Sequence, residues 1–169
     1  SAPWGVYGDP LGNTPEVSRA LVDKALERAR EAGVPRLELR CRVDPELDDF
    51  VTSDLYSTYT KELPDDPEQI LPGYKKSERQ YIRQAETRHG LRFEEGNEHR
   101  RALQRLFLSS KRGLGSPGLS SAWWDALEEH LDDEYTIHAA LKGDEVVAAT
   151  LTFHNANEAA IFYIGTTQS

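Results

Sequence analysis

Apolar positions in the first part of the chain recur with the period of a helix: Val17, Leu21, Ala25, Leu26, Ala29 and Ala32 fall on one side of a continuous stretch. Thr14 stands where an N-cap belongs, Pro15 suits the first helical position, Gly33 suits the stop, and Pro35 forbids continuation. On either side the period shortens toward two. PWGVYG (3–8) reads as a short strand, RLELRC (36–41) as a strand with Leu37 and Leu39 on one face, and the β-branched and aromatic LYSTYTKEL (55–63) as another. A strand–helix–strand unit is expected, followed by an acidic, turn-rich stretch over 43–53.

PDDPEQILPG (64–73) then interrupts the pattern with three prolines and marks a linker. Beyond it, 74–90 predicts a helix burying Tyr74, Tyr81, Ile82 and Ala85, with Lys76, Arg79 and Arg83 together on the opposite side. LRFEEG (91–96) predicts a strand. A helix over 97–112 should bury Leu103, Leu106 and Phe107 and present Arg101, Arg105 and Arg112, and a further helix over 120–133 should pack Trp123, Trp124, Leu127 and Leu131. The end reads as a three-stranded meander: YTIHAALKG, EVVAATLTF and AAIFYIGT, joined by short turns. The class is α+β.

With 169 residues, 38% of them hydrophobic, the chain can bury a core. No run approaches the roughly 20 apolar residues of a membrane-spanning helix, and the first residues lack the charged start and apolar run of a signal peptide. A soluble, cytoplasmic protein is expected, and the lack of methionine suggests a processed chain or a piece of something longer. The single cysteine, Cys41, excludes an internal disulfide and a cysteine-rich zinc site and reads as a buried structural thiol. The histidines at 89, 99, 130, 138 and 154 show no metal-ligand spacing, so no metal is expected.

Charge changes the picture. The net charge of −9 conceals a segment from Lys75 to Arg112 that carries +6, while the remainder carries −15. A one-sided cationic face of Lys76, Arg79 and Arg83 beside the linker suits phosphate binding. The competing reading is a solvated helix face balanced by the acidic remainder. Arg101, Arg105 and Arg112 carry the same two readings.

The order of these motifs resembles the FemAB-like branch of the GNAT-related N-acyltransferases, a group that includes peptidoglycan aminoacyltransferases and exopolysaccharide-associated relatives. The matching pieces are PWGVYGDPL with the long helix and LELR; STYTKELPDD leading into KKSERQYIRQAETRHGL, which looks like the family's Lys-x-x-Arg-x-x-x-Arg helix; LGSP at 114–117; and DEVVAATLTF with IFYIGT. The resemblance implies a GNAT-like mixed sheet flanked by helices. It implies that 1–63 is the second half of one GNAT-like domain, 64–73 a linker and 74–169 the first half of a second domain. These parts would pack as one compact unit or exchange elements with another copy in a homodimer.

The function implied is transfer of an aminoacyl or acyl group to an amine of a cell-envelope or polysaccharide precursor. The alternative is a non-catalytic anion- or RNA-binding module, or a dimerisation unit, derived from such an enzyme. Within the resemblance, Tyr7 and Gly8 line a cleft turn and Asp9 orients or deprotonates the amine, against an ordinary Asp-Pro turn. The Gln/Arg-x-x-Gly-x-Gly/Ala loop by which GNAT enzymes hold acyl-CoA is not met. Arg112-Gly113-Leu114-Gly115-Ser116-Pro117 comes nearest and reads as a helix C-cap and turn. No bound cofactor is expected, and aminoacyl-tRNA is expected as acyl donor ahead of acyl-CoA because it fits the basic segment.

Overall fold

The computed structural model describes residues 7–42, 44–55 and 57–167. The chain divides between Glu62 and Leu63 into two compact units.

The first unit is built on one helix, α1 (Pro15–Glu31). Its ends follow the sequence signals: the Thr14 hydroxyl accepts from the Val17 amide at 3.4 Å, and Gly33 takes a left-handed φ of 64° beyond the last turn. The packing differs from the expected stripe. Val22 is the buried residue, while Val17 and Leu21 are exposed. Among the described residues of 36–41 and 55–63, the expected strands do not form. Leu37 and Leu39 are half-buried and their neighbours exposed, as alternation requires. Yet among the described residues Gly8 N–H donates to Arg40 C=O at 2.9 Å but no strand ladder is present, and a strand exists only through a paired neighbour. Over 57–63 the β-forming composition faces solvent, with Tyr59 92% exposed. Of the strand expected at 3–8, residues 3–6 lie outside the described residues, and Tyr7 and Gly8 are not in a strand.

The second unit carries the sheet. A short 3-10 turn, Pro67–Gln69, precedes α2 (Lys76–Thr87), whose start is held by the Glu78 carboxylate accepting from the Lys75 amide at 3.1 Å. Of the expected buried side of α2, Ala85 is half-buried but Tyr74, Tyr81 and Ile82 all reach solvent, because the helix packs only lightly on the strand that follows it. That strand is β1 (Leu91–Glu95); then come α3 (Arg100–Gly113), α4 (Ser121–Leu131), β2 (Tyr135–Lys142), β3 (Glu145–Asn155) and β4 (Glu158–Thr166). The four strands form one antiparallel sheet in the order β1-β2-β3-β4. The meander is as the sequence predicts, with Gly143 supplying the left-handed turn residue between β2 and β3.

Strand alternation sends Tyr135, Ile137, Ala139 and Leu141 of β2 to one face, matched by Ala149 and Leu151 of β3 and Tyr163 of β4. α3 and α4 cover that face with Leu103, Phe107, Trp124 and Leu127. Phe107, Trp124 and Tyr163 meet edge to face, with ring centroids 5.3–6.0 Å apart. Leu131, expected in this core, is 40% exposed at the helix end. The Arg100 guanidinium, almost wholly covered, donates to the Trp124 carbonyl at 2.9 Å and pairs with Asp125 and Glu128, which ties the start of α3 to α4. Among the described residues no helix is long and apolar enough to cross a membrane.

β4 and α3 approach so closely at Gly165 that a Cβ there would lie 2.6 Å from the Phe107 amide nitrogen and 2.7 Å from Leu106 backbone carbon. Backbone cannot step aside as a side chain can. Gly165→Ala is therefore expected to destabilise the protein by about 1–3 kcal/mol, read as a lower urea midpoint at unchanged slope. A midpoint equal to the parent's would show that the helix and strand are not held at this distance.

Candidate functional site

Three places carry the chemistry that the sequence proposed or that the fold assembles. In the first unit, Tyr7, Gly8 and Asp9 lie beside residues 40–42. The Asp9 carboxylate accepts from the Arg42 amide at 2.8 Å and faces the Arg42 guanidinium at 3.3 Å, which itself stacks 5.4 Å from the Tyr7 ring centre. Asp9 is thus engaged through both oxygens. It borders a cleft of about 880 Å³ walled by the start of α1 and by Asp44, Glu46, Asp48 and Asp49. Across that cleft Arg19 forms a two-pronged ion pair with Asp49, at 2.7 and 2.9 Å, which holds the Asp49 carboxyl below its usual range.

Cys41 belongs to the same neighbourhood. Partial burial, with the Asp9 and Asp44 carboxylates nearby, pushes its thiol up from the ordinary value. A thiol shifted this way is mostly protonated at neutral pH and makes a poor nucleophile.

On α2 the three expected cations separate by role. Arg79 is partly buried and donates to the carbonyls of Pro72, at 2.7 Å, and Tyr74, at 3.1 Å, so it closes the entry to the helix. Lys76 and Arg83 are exposed on the same side. Arg101, Arg105 and Arg112 are likewise exposed along α3. The glycine loop after α3 is a helix terminus: the amides of Leu114, Gly115 and Ser116 donate back to the carbonyls of Ser110, Arg112 and Lys111. Those amides are used in closing the helix and do not form an anion cradle.

The third place was not foreseen from the sequence. The sheet face turned away from α3 and α4 forms a trough of about 670 Å³ lined by Phe93, His138, Ala140, Thr150, Ile161 and Ile164, with Glu95 at its rim. Glu95, His138, Thr150 and Ile164 stand directly across from one another on successive strands, one residue from each. The His138 Nδ1 lies 3.7 Å from the Glu95 carboxylate, a charge-pairing rather than a hydrogen-bonding distance. The Thr150 hydroxyl is out of reach of solvent and has no hydrogen-bond partner. The signal was available in the period-two pattern: these are the residues that alternate with the core positions.

A four-stranded antiparallel meander with two helices inserted after its first strand is the scaffold in hand. The model of the acetyltransferase (GNAT) domain matches residues 73–169, more than half of the chain and nearly all of the second unit. The chain belongs to the GNAT acetyltransferase family. A GNAT domain acts on an acyl donor and an acceptor, which directs attention to the sheet and its two helices rather than to the first unit. No curated protein matches the chain.

Among the described residues no group of three or more histidine, cysteine or acidic side chains is placed to hold a metal. The thiol offers a direct test of the electrostatics around Asp9. Iodoacetamide at pH 8 is expected to label Cys41 in the folded GNAT protein more slowly than in the urea-unfolded chain, and Asp9→Asn should narrow the gap. Equal rates in the folded and unfolded parent would mean that neither burial nor the carboxylates hold the thiol.

Proposed function

We propose that the protein is an N-acyltransferase of the FemAB-like type, which moves an aminoacyl or acyl group onto an amine of a cell-envelope or polysaccharide precursor. The observation that carries the reading is the GNAT domain over residues 73–169, in which lies the one strongly basic segment of an otherwise acidic chain. A polyanionic donor is drawn to such a segment, and aminoacyl-tRNA is more strongly polyanionic than acyl-CoA. Direct transfer suits the residues present. The lone pair of the amine forms the new C–N bond, the donor's ester C–O bond breaks with its electron pair, and the proton shed by nitrogen ends on that oxygen. This route needs no covalent nucleophile, in keeping with the raised thiol of Cys41.

Within this reading Lys76 and Arg83 contact donor phosphates, while Arg79 keeps the helix entry in place through Pro72 and Tyr74. Tyr7, Gly8 and Asp9 remain the sequence-derived candidates for the acceptor turn, though Asp9 would have to leave Arg42 to take a proton. The rival reading, a module that binds anions or RNA without catalysis, shares the basic face and differs only in turnover.

The test is a salt-titrated comparison of charged tRNA, uncharged tRNA and acyl-CoA, paired with an assay for amide formation. Charged tRNA is expected to bind best. Lys76→Ala with Arg83→Ala should lower the salt slope by about two, one for each lost phosphate contact, whereas Arg79→Ala should act mainly on stability. RNA binding without turnover would favour the module, and tight acyl-CoA binding with turnover would replace the donor assignment.

A further inference from the structure

We draw no further inference here: the strongest candidate, the face of α2 on which Tyr81 and Ile82 reach solvent, is an unpartnered apolar surface, and nothing in the structure shows what covers it.

Discussion

The mutual edge-to-face contact of Phe107, Trp124 and Tyr163 is the constraint on which the rest of the second unit depends. Each ring comes from a different element, α3, α4 and β4, so the three together fix both helices against the far edge of the sheet. Trp124 is fully buried at this junction, and truncating a residue of that size typically costs about 3–5 kcal/mol. Arg100 reinforces the arrangement from outside by holding the Trp124 carbonyl, and Gly165 permits it by letting β4 run against the α3 backbone. Burial also pushes the Tyr163 hydroxyl up from its ordinary value. Because both helices are held on one side, the opposite side of the sheet is left as a continuous face.

That asymmetry links fold to site. An antiparallel meander places in-register residues on the same face, so a row such as Glu95, His138, Thr150 and Ile164 is assembled by pairing alone, without any loop having to fold around it. Side chains on strands are placed more exactly than those on loops. The cleft of the first unit is built differently. There the carboxylates sit on turns, and the ion pairs of Arg19 and Arg42 already occupy Asp49 and Asp9.

The legible parts of the sequence were those where local and tertiary signals agree. Thr14, Pro15 and Gly33 bound α1 through contacts within a few residues, and the period-two runs of β2–β4 are joined by turns too short to allow another pairing. Where a feature depends on a partner far along the chain, composition misleads. RLELRC has the alternation of a strand and LYSTYTKEL the propensity, yet among the described residues neither stretch forms a strand. The apolar side of α2 was read as buried because spacing reports which residues share a face, not whether anything covers it. The trough was missed for a related reason. Its members alternate with the core residues and come from all four strands, so they look like surface positions until the register joins them.

The basic segment illustrates how a charge count becomes a mechanism only after its members are placed. Of its cations, Arg79 bridges carbonyls at the start of α2, Arg92 donates to Glu94 and the Gly143 carbonyl, and Arg100 locks α4. These three serve the fold. Lys76 and Arg83 on α2, with Arg101, Arg105 and Arg112 on α3, remain at the surface, so the positive charge is spread over two helices rather than concentrated in one cradle. A field of that kind raises encounter rates and sets salt dependence but does not orient a reacting carbonyl. Orientation must come from fixed groups, and in this domain the groups held most closely are those that strand pairing places on the sheet, while the exposed cations of the helices are free to move.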